Sequence, residues 1–387
     1  MCSKNQLFVL FFFSFITINL VAVEISISNN VNGLLNTRIE KSLQNQITKL
    51  TVEGQIDARD FKFMRDSLTI LESVDLKNTI VLVYQGDKGT SREPTTYLAN
   101  SIPHNGFSYT PANGIPVGKL SLVNLILPNT IQKIGIQAFS ICSNLKTIEY
   151  PENVIRIGEQ AFAGCVKLES FPLRADTLDE SCFQNCESLV GTLNLPAELS
   201  KIGISAFDGC FNIQNIIFNS SISTIPEFCF YNCTLLESIY FDKTVDTILQ
   251  DAFAGCPAIK SISCLHTLPP IINSQSFPDI IRGNCSVYVA PENIETYKSS
   301  TWAGFKILSL NSSYHAQTYR NFGLTMHRNS IAISTDEVLS IDIYNLSGKV
   351  CYRGKSIVGT LNIPLQLNEL YFLSVNKSKA FKLFLQR

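Results

Sequence analysis

The sequence predicts an α/β chain leaning strongly to β, in which a solenoid of about ten rungs with a parallel sheet precedes a small antiparallel β-sandwich. Three observations predict it. A nine-residue phrase recurs between Ile134 and Cys264, as IGIQAFSIC, IGEQAFAGC, LDESCFQNC, IGISAFDGC, IPEFCFYNC and ILQDAFAGC. The phenylalanines of these copies, Phe139, Phe162, Phe183, Phe207, Phe230 and Phe253, follow one another at 23, 21, 24, 23 and 23 residues. A fixed period of about 20 to 50 residues is the mark of stacked units that bury their apolar faces only against their neighbours. The third observation is that the period ends before the last stretch of chain, which alternates apolar and polar residues in short runs separated by turns.

Residues 1–22 stand apart from both. Lys4 precedes an apolar run from Leu7 to Leu20 that Ser14, Thr17 and Asn19 interrupt, and Ala22 supplies a small residue for cleavage. This is the pattern of a secretory leader and is short for a membrane span, so no transmembrane segment is expected in the mature chain. Cys2 lies before the apolar run, whereas a lipid-modified cysteine would follow it.

Residues 23–120 read as an N-terminal cap with divergent repeats. Leu34, Leu35, Ile39 and Leu43 have helical spacing, and Ile47 to Val52 alternates as a strand. Asp57 with Asp60 forms a capping-box pattern that starts a helix running to about Ser67. Leu71 to Leu76 is the next strand, 24 residues after the first. Residues 85–118 are rich in Gly, Pro, Ser, Thr and Asn, and read as an irregular excursion or one degenerate rung. Its larger side chains, Tyr97, Phe107 and Tyr109, are candidate binding residues, because long loops in repeat proteins often carry function.

From 121 to 308 each unit begins with a strand of the form LxxIxY, as in LKTIEYP from Leu145 and LESIYF from Leu236. A turn, a short extended segment and the tight AFxxC curve complete it. Period-2 alternation points Leu145, Ile148 and Tyr150 inward and turns Thr147 and Glu149 outward. The outward row continues through Ser170/Pro172, Thr192/Asn194, Asn215/Ile217, Ser238/Tyr240 and Ser261/Ser263.

Of the 12 cysteines, six (Cys142, Cys165, Cys186, Cys210, Cys233 and Cys256) share one phase of the repeat. Cys182 and Cys229 take the alanine position before the phenylalanine. Cysteine fixed by repeat phase is expected as a small buried hydrophobe rather than as a disulfide framework or a metal ligand set. The CxxxC spacings at Cys182/Cys186 and Cys229/Cys233 follow from the repeat itself and come without matching histidines.

The phrases NLKTIEYPENVIRIGEQAFAGC and LESIYFDKTVDTILQDAFAGC resemble the BspA-type leucine-rich repeats of bacterial surface proteins. The segment ITKLTVEGQIDARDF with LESVDL is similar to the cap that precedes such repeats, and CSVYVAPENIETYKSSTWAGFKIL to their closing segment. The resemblance covers about 25 to 308 and implies that Tyr297, Trp302 and Phe305 plug the far end. Residues 309–320 are a polar linker. In 321–387, IDIYNLSGKVCYRG, LYFLSV and KLFLQR resemble the C-terminal sorting domain of proteins exported by the type IX system. One departure is that Asn368, Glu369 and Leu370 stand where that family usually has a glycine before the strand.

The chain has 31 basic and 32 acidic residues, which gives no electrostatic footprint for nucleic acid. No nucleophile elbow, zinc-protease motif or phosphate loop is present. His266 beside Cys264 reads as a surface residue next to a core thiol, and Asp179/Glu180 and Asp336/Glu337 as turn caps. No enzyme, cofactor or metal is expected. The candidate binding residues are Ile217 and Tyr240, adjacent exceptions on a small polar face, with Asn215 and Ser238 on the same rungs, Glu149 farther along the outward row, and the excursion residues Tyr97, Phe107 and Tyr109. The resemblance implies a host or neighbouring-cell protein as partner and a surface or extracellular location. A glycan of a surface nutrient system, or a structural role in the envelope, are the alternatives.

Overall fold

A computed structural model describes residues 22–171, 173–218, 220–241 and 245–310, and beyond them the backbone of seven strands between 322 and 384. The expected leader lies outside the described residues except for Ala22, as does the linker except for Ser309 and Leu310.

The solenoid is built as the period predicts, with one long strand per turn added in parallel to the last. One sheet runs from Val23–Asn29 through Ile47–Ile56, Ser73–Asp75 and Asn124–Ile126 to Thr147–Glu149. After a turn without a strand, a second runs from Gly191–Leu195 through Ile213–Phe218, Ser238–Phe241, Ser261–Cys264 and Ser286–Val289 to Lys306–Ser309. The stack is therefore about twelve turns rather than ten. Val23–Asn29 lies in the stretch read as the N-terminal cap, and Lys306–Ser309 at the end of the closing segment, and neither was counted as a rung. The short extended segments form their own parallel ladders, Ser101–Ile102 to Thr177–Leu178 and Thr224–Ile225 to Ile271–Ile272.

The repeated phenylalanines form one continuous aromatic column. Neighbouring rings from Phe107 through Phe139, Phe162, Phe183, Phe207, Phe230 and Phe253 to Phe277 lie 5.0 to 5.7 Å apart and within 14° of parallel. Offset stacking of this kind adds to the burial of each ring about 0.5–1.5 kcal/mol per pair. Phe61 meets the first ring edge-on, and Trp302 and Phe305 close on Phe277 at the other end. The expected plug is thus in place, with Tyr297 and Trp302 fully buried and the Trp302 indole N–H donating to the Pro270 carbonyl at 2.7 Å.

Around the six phenylalanines from Phe139 to Phe253 the curve is tight because the residues two before and two after each adopt left-handed backbone. Gln137 and Ile141 flank Phe139 at φ 52° and 57°, and Ser181 and Asn185 flank Phe183 at 53° and 56°. Glycine takes the second position in three copies. At Gly164 an added Cβ would stand 2.6 Å from Cδ1 of Ile141, so space as well as φ favours it there.

At the N-terminal end Asp57 caps the helix Ala58–Asp66, and the expected capping box is present. The buried Asp60 carboxylate also accepts from the backbone N–H groups of Gly33 (2.6 Å) and Leu35 (2.9 Å), tying the first turn to the helix. The C-terminal strands are antiparallel. Phe322–His327, Ser330–Thr335 and Gly359–Pro364 form a three-stranded sheet, and Ser340–Asn345, Val350–Lys355, Leu370–Val375 and Ala380–Phe384 a four-stranded one. Ile341 and Ile343 from one sheet and Ile363 from the other are buried, as a sandwich requires.

Candidate binding face and cleft

The outward row is knit by side-chain bonds between rungs. Thr147 donates to Asn124 Oδ1 at 2.7 Å, Asn215 to Thr192 Oγ1 at 3.3 Å, and Ser238 to Asn215 Oδ1 at 2.6 Å. Asn215 and Ser238 are half-buried members of this ladder. Glu149 is exposed and pairs with Lys77 at 3.1 Å. Exposed pairs of this kind contribute only about 0–1 kcal/mol.

Ile217 and Tyr240 stand side by side in register as the spacing demands, but they are 2% and 4% exposed. The expectation that they form an open hot spot is overturned. Asn194, the register partner of Ile217, lines a cleft together with Arg353 of the C-terminal strands. Tyr97 and Phe107 are likewise buried, at 3% and 0%. Tyr97 stacks on Tyr84 at 5.9 Å, and Phe107 is the first ring of the parallel column. The excursion is therefore a degenerate rung. The signal was in the sequence: Ile102 precedes Phe107 by five residues, as Ile134 precedes Phe139 and Ile272 precedes Phe277. Tyr109 is exposed, with the Arg65 guanidinium 5.8 Å from its ring centre.

The excursion is held by two cations of neighbouring chain. One Arg65 nitrogen donates to the carbonyls of Thr90, Asn105 and Ser108 at 3.0, 2.8 and 2.7 Å. Lys119, almost fully buried, donates to the carbonyls of Arg65, in the last turn of the helix Ala58–Asp66, and of Leu68 just past it. Burial pushes its amine down to about 8.

The repeat-phased cysteines line the core as free thiols. Each S–H donates to the phenylalanine carbonyl of the turn before, from Cys142 on Phe107 at 3.4 Å to Cys256 on Phe230 at 3.1 Å. Burial raises the Cys142 thiol to about 12 and drives Cys165, Cys186 and Cys233 well above their ordinary value. Low-pKa nucleophilic or redox behaviour needs the opposite environment. Cys264 is fully buried, while His266 is half-buried with its Nε2 3.3 Å from Asp246. Among the described residues no three His, Cys, Asp or Glu side chains gather to hold a metal ion, and no helix is long and apolar enough to cross a membrane.

The feature that sequence reasoning missed is where the main sheet breaks. Phe171 takes the strand position that Ile148 holds one turn earlier, and its half-buried ring wedges against Tyr150, Phe162 and Phe183 at 4.5 to 5.1 Å. Residues 168–171 and 173 form no strand, and the next residue in that position of the sequence, Pro172, has no N–H to give a ladder. A cleft of about 1010 Å³ opens at this turn. Phe171, Leu173, Leu189 and Leu193 give it an apolar wall, and Asp176, Glu198, Arg174 and Arg353 charge its rim.

Residues 118–191 and 171–280 match the family model described as BspA type Leucine rich repeat region, in six copies. No curated protein matches the chain. Among solved structures, a leucine-rich repeat protein from Bacteroides ovatus ATCC 8483 is 20% identical over 59% of this chain and 58% of its own, with a TM-score of 0.37. The T. pallidum leucine-rich repeat protein is 23% identical over 46% of this chain and 72% of its own, with a TM-score of 0.32. One from Eubacterium ventriosum ATCC 27560 is 16% identical over 71% of this chain and 80% of its own, with a TM-score of 0.38. The chain thus spans somewhat over half the length of the Bacteroides ovatus protein. Residues 118–280 are thus similar to the BspA-type leucine-rich repeat region, and the period, the phenylalanine column and the parallel sheet give the solenoid a leucine-rich-repeat architecture.

Proposed function

We propose that this is an exported, surface-displayed repeat protein that binds another protein, and that adhesion to host or neighbouring cells is its role. The supporting observation is the cleft at the sheet break. Where the sheet breaks, the repeat leaves an open site with apolar walls and a charged rim. Export is supported by the leader-like residues 1–22, and a surface address by the resemblance of 321–387 to a type IX sorting domain.

The glycan reading asks for clustered exposed aromatics. Of the aromatic residues singled out for binding, Tyr97, Phe107 and Tyr240 are buried and Tyr109 alone is exposed, so the protein reading is preferred.

The test is capture of intact host or neighbouring bacterial cells by the immobilised full chain, before and after mild proteolysis or periodate oxidation of the cells. Loss of capture after proteolysis, with capture retained after periodate, is the expected result. The reverse would identify a glycan ligand, and no capture from any cell would leave the structural role.

A further inference from the structure

We infer that the cleft takes an extended peptide segment bearing lysine or arginine beside an apolar side chain, added as a strand to the edge of Gly191–Leu195. This deepens the protein-binding reading and rests on it.

The backbone supplies the first argument. Gly191–Leu195 is the end strand of its sheet, paired with Ile213–Phe218 on one side only. Among the described residues no backbone hydrogen bond crosses from 168–173 to this strand, although the ladder is continuous from Gly191–Leu195 to Lys306–Ser309. The strand also starts irregularly: Gly191, at φ +89°, shifts the register against the next rung, which accounts for the 24-residue spacing from Phe183 to Phe207. An edge with unused donors and acceptors is a template for strand addition.

The side chains supply the second. The cleft wall beside this edge is apolar, and two residues at its mouth, Ile155 and Val190, are 42% and 64% exposed. An alternating peptide would set every second side chain against them.

Charge decides the remaining positions. Of the four carboxylates at the cleft, Glu152 is paired with Arg174, and Glu169 with Lys146. Arg353 is held by Asp342 at 2.8 Å. Asp176 and Glu198 have no cationic partner among the described residues. The cleft therefore presents two uncompensated negative charges flanking an apolar wall, and a basic side chain on the incoming strand complements them.

The experiment is fluorescence anisotropy of the full chain with a labelled octapeptide of alternating valine and lysine at about 0.15 M salt, near-physiological ionic strength. Saturable binding is expected, weakened at least tenfold in the double variant Asp176→Asn, Glu198→Gln and also in Val190→Lys. The counterpart with glutamate in place of lysine should not bind, nor should one with proline at alternate positions, which cannot pair. Val190 and Glu198 are exposed and Asp176 is half-buried, and unchanged thermal unfolding confirms the fold. No binding of the valine–lysine peptide, equal binding by the double variant, or equal binding of the proline peptide would overturn the inference. Cell capture by the double variant separates the two readings, since undiminished capture sinks the cleft and leaves protein binding standing.

Discussion

The Sγ of Cys165 lies 3.1 Å from the carbonyl oxygen of Phe139, one turn back along the coil. The same bond recurs from Cys186 to Phe162 and from Cys210 to Phe183, both at 3.2 Å. Each phenylalanine N–H meanwhile donates to the carbonyl of the residue preceding the next phenylalanine, as Phe139 does to Ala161 at 2.8 Å. The cysteine thus adds a second donor to a buried carbonyl that already accepts a backbone N–H, as that of Phe139 does from Cys142 at 3.0 Å.

Thiol reactivity follows from that burial. In the native full chain a maleimide at pH 8 is expected to label the exposed Cys351 and to spare the ten described buried thiols, from Cys142 to Cys285. All should label in denaturant. Intact mass after labelling checks this, and ready native labelling of Cys165 or Cys186 would contradict the ladder.

Alkaline pH should destabilise the fold, and Lys119 should oppose it. The ladder thiols have folded values raised above their ordinary 9.0, so an unfolded chain releases protons that the folded one keeps. Their stabilisation is whole below pH 9 and is lost as pH rises above it. Lys119 has the opposite sign: its folded amine sits at about 8 against 10.5 unfolded, so its contribution rises with pH between those values. Urea unfolding at several pH values should show a net fall above pH 9. The difference between the native chain and Lys119→Met should grow in favour of the native chain between pH 8 and 10.5.

Arg65→Met is expected to loosen the excursion while leaving the later repeats intact. Three backbone carbonyls lose their charged donor, at a cost of about 2–4 kcal/mol if the loop stays in place. Limited proteolysis should then cut within 86–118 first, and equal resistance to the native chain would count against the assignment.

Ile217→Asp and Tyr240→Asp should unfold rather than merely unbind. Both positions are buried, and an unpaired buried carboxylate costs about 3–5 kcal/mol. A fall in melting temperature of either variant checks this. Unchanged stability would restore these residues as an open surface.

Much of the fold was legible, and the failures have one cause. Phase placed Phe139, Cys142 and Ile148 inside correctly, because a period fixes which side chains meet the neighbouring turn. It also held the answer for Phe107 and Phe277, whose five-residue offset from Ile102 and Ile272 was hidden by the loss of Ala and Cys around them. For Ile217 and Tyr240, alternation gave the direction correctly and the exposure wrongly. Direction is local, whereas exposure depends on what else the chain lays over that face. The cleft was invisible for a related reason: LESFPL reads as one more strand until the volume of Phe171 is set against Tyr150 and Phe183.

By itself, the sequence determined the coil: its period, its inward row and its capping box. These follow from short-range spacing and hold wherever each turn meets a copy of itself. Only the tertiary structure decided where the stack departs from repetition, namely the two added end strands, the covered outward face and the break after Thr147–Glu149. Those depend on contacts between unlike segments, which no period encodes.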